Sequence, residues 1–381
     1  MKTALYIHFP FCVRKCLYCD FNSRAGLNVR AEEYVHLLLD EMRLRREKLP
    51  GGIGAETLYF GGGTPSLLEP LLVARIIEAA AGLFGLEGSA EITLEANPGT
   101  VDAEKLAAFR AAGVNRLSLG VQSFSDRMLH MLGRVHDARQ ALVAFDAARG
   151  AGFADIGIDL IHSLPGQDLK MWLAELERAV RLRPEHISAY GLSVEAGTPF
   201  HAMKERGKLA LPDEETAALM FESTDEVLGK AGYEHYEISN FALPGHPSRH
   251  NGNYWQRGNY LGFGAGAHSF LATPRFGHRW KNVDDPEYYL ETVAGGTLPE
   301  EETTELAERD AMAETLFLGL RMLEGIDTGL FRRQFGIPLE RAYAEELPPL
   351  LAGGLLESSN GRLRLTRRGL ILANRVFVEF V

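Results

Sequence analysis

Cysteine is almost missing from this chain: there are three in 381 residues, and all of them lie between Cys12 and Cys19. A disulfide framework is thereby excluded, since three thiols cannot pair fully and no partner stands elsewhere; such usage fits a reducing cytoplasm. Long apolar runs are missing too. No stretch approaches the roughly 18 uninterrupted apolar residues of a membrane helix, and the opening MKTALYIHFP has no signal-peptide core. Positive charge is in short supply: 40 Lys and Arg against 51 Asp and Glu give a formal net charge of -11, which repels nucleic-acid phosphates and anionic lipids. There is no low-complexity tract and no solenoid-type repeat. What remains, 46% hydrophobic and 24% charged residues, is the balance of a soluble, well-packed protein. It is expected in the cytoplasm, with no integral membrane segment and no nucleic-acid partner.

What is present begins with FCVRKCLYCDF, the stretch that holds Cys12, Cys16 and Cys19. Structural zinc usually takes four ligands from two separated pairs, and no second pair is near. Three thiolates from one loop would leave one iron of a cubane iron–sulfur cluster open to a substrate or cofactor. Zinc and inert thiols stay as alternatives. Asp20 and Phe21 follow where a fourth sulfur would extend the run.

Through the first 230 residues, six short β-branched or aromatic runs alternate with helical patterns: 4–9, 57–60, 91–96, 116–121, 155–161 and 186–192. Between the first two, Tyr34, Leu37, Leu38 and Met42 would line one helix face. Asp102 and Gly113 punctuate a later helix as N-cap and C-terminal stop. Alternating βα units imply parallel strands with right-handed crossovers, and six units are too few to close an eight-stranded barrel. The predicted fold is α/β: a partial (β/α)6 barrel of TIM type, with its site at the strand C-termini. A flat doubly wound sheet is the alternative. Residues 1–232 form this unit. Residues 233–298, rich in Gly, His, Asn and aromatics, read as a lining or cover. Residues 299–381 read as a small helical, winged-helix-like domain, with Asn360-Gly361 as a hairpin turn. Arg362, Arg364, Arg367 and Arg368 near its end read as a solvated face.

Polar and glycine-rich features of the barrel half collect at strand C-termini. GGGTPS puts Gly61, Gly62 and Gly63 after the second strand, where missing side chains let backbone approach a ligand. No Gly-Lys-Ser/Thr follows, so this is not a phosphate loop. Glu95 precedes Asn97-Pro98, Gln122 lies in VQSF, Arg134 in LGRVH and Asp159 in DLIHSLPGQ. Their shared placement on one rim marks a site.

The run CxxxCxxC after YIHFPF, followed by YFGGGTPS, LEANP, LSLGVQSF, LGRVH and DLIHSLPGQ, resembles the radical S-adenosylmethionine superfamily. Within it, the match is to the branch of oxygen-independent coproporphyrinogen III oxidases and their relatives. It continues through HISAYGLSVEAGTPF, YEISNFALPG, HNGNYW and LGFGAGAHS, and so covers nearly the whole chain. The resemblance implies that Cys12, Cys16 and Cys19 hold a [4Fe-4S] cluster whose fourth iron chelates S-adenosylmethionine. It also implies that Tyr6, Tyr18, Gly62, Gly63, Thr64, Glu95, Gln122, Arg134 and Asp159 contact that cofactor. Arg134 suits a carboxylate and Glu95 an ammonium.

Two departures separate the relatives. The oxidases extend the run to CxxxCxxCxC, where this chain has Phe21, and they carry a longer segment before the first strand. Both differences resemble the heme-chaperone members of the branch, and HNxxYW is a motif of theirs. The expected function is therefore to bind heme and pass it to an acceptor protein, with coproporphyrinogen III oxidation as the enzymatic alternative. On this resemblance His250 is the candidate axial ligand, and Tyr254 and Trp255 offer flat surface to the macrocycle. The other reading of His250 is a turn residue hydrogen-bonded to backbone. His162-Ser163 stands where the branch has an aromatic-glycine pair, so no substrate contact is carried over there.

Overall fold

The computed structural model describes residues 1–26 and 30–381. The six predicted strands form as β1 (Lys2–Phe9), β2 (Gly54–Gly62), β3 (Glu91–Ala96), β4 (Arg116–Gln122), β5 (Asp155–His162) and β6 (His186–Gly191). Each pairs in parallel with the next. Helices intervene: α1 (Ala31–Lys48), α2 (Pro70–Phe84), α3 (Ala103–Ala111), α4 (Asp126–Leu132), α5 (Ala138–Gly150) and α6 (Leu169–Leu182), and α7 (Pro199–Glu205) and α8 (Glu214–Lys230) follow β6. Tyr34, Leu37, Leu38 and Met42 of α1 are all buried in the main core with Leu5, Ile7 and Phe60 of the sheet. Asp102 caps α3, its carboxylate accepting from the Lys105 N–H at 2.8 Å. Gly113 leaves that helix at φ +112, a conformation that costs glycine little.

The chain after Tyr233 departs from the expected cover and instead extends the sheet at both edges. β7 (Glu234–Glu237) and β8 (Asn240–Ala242) form a ribbon whose second strand runs antiparallel to β6. After α9 (Arg249–Trp255), β9 (Tyr260–Phe263) returns to the opposite edge and pairs in parallel with β1, Ala4 facing Tyr260 and Ile7 facing Phe263. Antiparallel β10 (His268–Leu271), β11 (His278–Asn282) and β12 (Glu300–Glu305) complete that side, with α10 (Pro286–Ala294) between the last two. The full order is β12-β11-β10-β9-β1-β2-β3-β4-β5-β6-β8-β7. The end strands are not neighbours, so the barrel is open as predicted. No apolar alternation announces these additions: YLGF breaks it with glycine, and EEETTE is exposed throughout.

A buried carboxylate ties the late strands to the early helix. Glu41 on α1 accepts from the Gly264 N–H at 2.8 Å, the Tyr289 hydroxyl at 2.6 Å and Asn282 Nδ2 at 2.6 Å. The buried Tyr34 hydroxyl, about two turns earlier on α1, donates to the His8 carbonyl and receives the Ala265 N–H, both at 2.9 Å. The glycine-rich run after β9 is thus pinned to α1 and β1 together.

The C-terminal unit has its own core around Leu316, Phe331, Tyr343 and Val376 and a three-stranded sheet of Ile326–Asp327, Leu356–Ser359 and Arg362–Leu365. Asn360 and Gly361 form the predicted hairpin turn at φ 52 and 73, the left-handed pair that a two-residue turn of matching twist requires. Among its arginines, Arg364 pairs with Glu357 and Arg362 with Glu324. No described helix is long and apolar enough to cross a membrane.

Burial raises the Glu41 carboxyl from its ordinary 4.5 to about 7, outweighing the hydrogen bonds from Tyr289, Gly264 and Asn282. The unfolded chain releases this proton near pH 4.5 and the folded chain near 7, so the stability gained from the protonated form is complete below the first value and lost as pH rises through the second. Over that window the group is expected to remove on the order of 3 kcal/mol of stability. Urea titrations across the same pH range should show a shallower decline in Glu41→Gln than in wild type; equally steep profiles would contradict the assignment.

Candidate functional site

The C-terminal ends of β1 to β6 open onto a cavity of about 430 Å³ bordered by Cys12, Cys16, Cys19, Gly62, Gly63 and Thr64. Tyr18, Glu95, Gln122, Arg134 and Asp159 border it too. The structure therefore gathers eleven of the residues singled out in the sequence around one space. The three thiols are all partly exposed.

The cysteine loop hangs from β1 and is fastened on three sides. Residues Phe11–Cys12 pair with Arg24–Ala25, the Leu17 N–H donates to the Leu132 carbonyl at 3.1 Å, and the Phe200 N–H donates to the Leu17 carbonyl at 3.0 Å. Gly133, at φ +77, must lack a side chain because a Cβ there would lie 3.2 Å from Leu17. Among the described residues, no three His, Cys, Asp or Glu side chains converge on a point that would hold one metal ion. Burial pushes the Cys19 thiol up, and a hydrogen bond from the Phe21 backbone works against that rise. Thr64 Oγ1 lies 3.4 Å from Cys12 Sγ, and Arg134 Nη1 lies 3.4 Å from Cys16 Sγ.

The triple glycine has a packing reason that the sequence reading did not foresee. A Cβ on Gly63 would sit 2.7 Å from the Phe11 carbonyl oxygen, and one on Gly62, at φ +107, would sit 2.7 Å from the His8 ring. The freed space is filled by backbone: the Gly63 N–H donates to the Phe9 carbonyl at 2.8 Å and the Thr64 N–H to the Phe11 carbonyl at 2.9 Å. The Gly62 N–H is directed at Glu95. Those three amides are occupied, so any ligand at this loop meets its carbonyl side.

The same lining carries two recessed carboxylates and one guanidinium. Tyr59 donates to Glu95 Oε1 at 2.8 Å, and Ser118 donates to both Asp159 oxygens at 3.1 and 2.9 Å. Burial raises Glu95 to about 7, with Asp159 adding to the rise and Tyr59 and Gly62 opposing it. Burial likewise raises Asp159, against Ser188, Ser118 and Arg134. Arg134 spends Nη2 on the Gly120 carbonyl at 2.7 Å, while its buried Nε has no partner among the described residues. Gln122, at φ 65, folds back so that a Cβ on Gly120 would meet its Nε2 at 3.0 Å and Arg134 Nη2 at 3.2 Å. An orphaned guanidinium nitrogen beside two carboxylates fits a ligand carrying both a carboxylate and an ammonium.

Other predicted residues lie elsewhere. Tyr6 faces a second cavity of about 730 Å³, on the β9–β10 side of β1, and its hydroxyl bonds to His8 Nδ1 at 3.1 Å. His250 is only 1% exposed. Its Nδ1 contacts Thr57 Oγ1 at 2.8 Å and its Nε2 the Tyr254 hydroxyl at 2.9 Å, so both nitrogens are taken. Glu91 fixes it further by accepting the His250 and Arg249 N–H groups at the start of α9. Tyr254 borders the second cavity. Trp255, one residue on and so about 100° around the helix, lies under Arg321 at 4.3 Å instead. His250 and Tyr254, four residues apart, share a helix face and touch, but His250 is buried beneath it and Trp255 points elsewhere, so the three do not present one open surface. Ser163, at φ 59, holds the left-handed conformation for which a glycine is the easier residue, and His162 packs inward against Trp172. Missed in the sequence were His8 and His268, which border the second cavity; the run GFGAGAHSF was the available signal for the latter.

This open parallel barrel with a three-cysteine loop at its rim is the architecture of a radical S-adenosylmethionine protein, and the sequence profile of the Radical SAM superfamily matches residues 6–179. The HemN C-terminal domain profile matches residues 306–372. The chain belongs to the HemW family of that superfamily. It is 37% identical to the "Heme chaperone HemW" of Lactococcus lactis subsp. lactis over 99% of this chain and 97% of that protein. It is also 37% identical to the HemW of Bacillus subtilis, over 100% and 99%. The solved structure of coproporphyrinogen III oxidase (HemN) from Escherichia coli superposes with a TM-score of 0.85 at 24% identity, over 99% of this chain and 89% of that one, a likeness of fold.

Gly63→Ala is expected to destabilise the fold by about 1–3 kcal/mol, the usual range for forced overpacking. Gly54→Ala, at the start of β2, the strand Gly63 follows, with nothing within 4 Å of the added Cβ, should be near neutral. Urea unfolding of the two variants side by side checks this, and equal losses would contradict the packing role.

Proposed function

We propose that this chain binds heme and delivers it to an acceptor protein in the cytoplasm, carrying a [4Fe-4S] cluster and S-adenosylmethionine as resident cofactors. The observation that supports it most is the rim itself: three accessible thiols, the unpaired Arg134 Nε and the Glu95–Asp159 pair around one cavity. Cys12, Cys16 and Cys19 would hold the cluster. Arg134 would receive the cofactor carboxylate, Glu95 and the carbonyl side of Gly62, Gly63 and Thr64 its ammonium, and Gln122, Asp159 and Tyr18 its remaining polar edge. Tyr6 would act from behind, through His8. When bound, the two cofactors supply one-electron chemistry; the protein residues position them and limit water. In this reading residues 1–232 carry the cofactors, 233–298 complete the cargo side, and 299–381 form the small accessory unit. Heme as cargo rests on the name carried by the relatives and on Phe21, which offers an exposed ring in place of a fourth thiol.

Anaerobic purification, cluster reconstitution, a hemin titration by absorbance and a coproporphyrinogen assay on the same sample test the proposal. Near-stoichiometric hemin binding without decarboxylation is expected; turnover without hemin binding would sink it in favour of the oxidase reading. Arg134→Lys keeps the charge but loses the planar fork, and should weaken S-adenosylmethionine binding by about tenfold or more by calorimetry while iron content stays at the wild-type value.

A further inference from the structure

The second cavity adjoins the first, sharing Lys15, Asp20, Phe21, Ser23, Gly62 and Glu95 as common wall. At about 730 Å³ it falls within the roughly 300–1,000 Å³ typical of cofactor-sized ligands. Two histidines line it, and they differ in one decisive respect. His8 is buried, and its ring nitrogens are engaged by Tyr6 and by the Asn22 carbonyl at 2.8 Å. His268 is exposed on β10, and its ring makes no hydrogen bond to another described residue. Metal ligation requires an unshared imidazole lone pair. His250, taken on both nitrogens and walled off by Thr57 and Tyr254, offers none.

We infer that heme is seated in this second cavity, with the His268 imidazole as its axial iron ligand and the exposed Phe21 ring against the macrocycle. The inference rests on the heme reading above and names the site for it. Phe21 is 59% exposed and lies at the boundary of the two cavities, so its ring is open to a ligand in either. Lys15 lies beside it, donating to the Phe21 carbonyl at 2.9 Å. Arg24 and Lys281 on the same wall are neutralised by Asp285, Glu287 and Asp284. Lys15 has no carboxylate partner among the described residues and is the cation available to a heme propionate. Partial desolvation by the cavity wall, with Lys281 and Arg279 nearby, lowers the His268 pKa and so favours the neutral ring, the form that ligates. The backbone around His268 is stiff: Lys281 on β11 is its register partner, and Gly264 and Ala265 just before it are held by Glu41 and Tyr34.

The test uses the full-length, cluster-reconstituted protein and hemin, read by difference absorbance and by ferric electron paramagnetic resonance. His268→Ala should lower hemin affinity about tenfold or more and lose the imidazole-ligated signature. Added imidazole should restore that signature in His268→Gly. His250→Ala should retain it. An unchanged spectrum and affinity in His268→Ala would overturn the inference, as would loss of the signature in His250→Ala with native circular dichroism. If the wild-type chain takes up no hemin at all, the heme reading itself fails, a result distinguishable from either variant outcome.

Discussion

The close approach of two backbones at the end of β1 holds the rest of the site in place. Where β2 leaves the sheet, Gly61, Gly62 and Gly63 carry no side chains, and the Gly63 and Thr64 amides donate to the Phe9 and Phe11 carbonyls. β1 is thereby carried past its last sheet residue into the cysteine loop, which would otherwise leave the strand end with unpaired carbonyls in a half-buried place. A methyl group at Gly63 would push Phe11 away and carry Cys12 with it. The glycines therefore serve the cluster loop first, by shape, and a bound ligand only through what that shape leaves exposed.

Charge in the cavity follows from the same crowding. Glu95 and Asp159 come close enough to repel, and each would be costly to bury ionised without hydroxyl and amide donors. Arg134 is the compensating cation, yet its remaining partners are a carbonyl and a thiol, so it is left one donor short. An arrangement with unspent hydrogen-bonding capacity on both signs of charge is unfavourable alone and favourable around a zwitterion.

The barrel half was legible because its strands carry β-branched and aromatic runs and its helices an apolar stripe; Tyr34, Leu37, Leu38 and Met42 and the cap at Asp102 all stand where periodicity and capping put them. The Asn360-Gly361 turn was legible for its backbone requirement. The extension of the sheet beyond β1 and β6 was not, since β9 to β12 are short, glycine-broken or fully polar, and their pairing partners are distant in sequence. Site placement divided similarly. Residues at strand ends could be assigned to one rim from the strand order alone. Whether a histidine is free could not, because the saturation of His250 by Thr57 and Tyr254 joins positions 193 and 4 residues away, and the openness of His268 depends on the late ribbon.

The parallel pairing of β9 with β1 joins residues 4–7 to residues 260–263. During synthesis β1 therefore has one bare edge until well over half the chain has emerged, and that edge belongs to the strand that feeds the cysteine loop. Closing so long a span is an entropically slow step that non-local contacts reward only at the end. The first cavity is lined mostly by residues up to Glu195, with Ser248 and Asn251 the last to join, so it can take shape on a growing chain before the wall bearing His268 is added. The two cavities thus have an assembly order built into the topology: the one bordered by the three cysteines can form before the one bordered by His268.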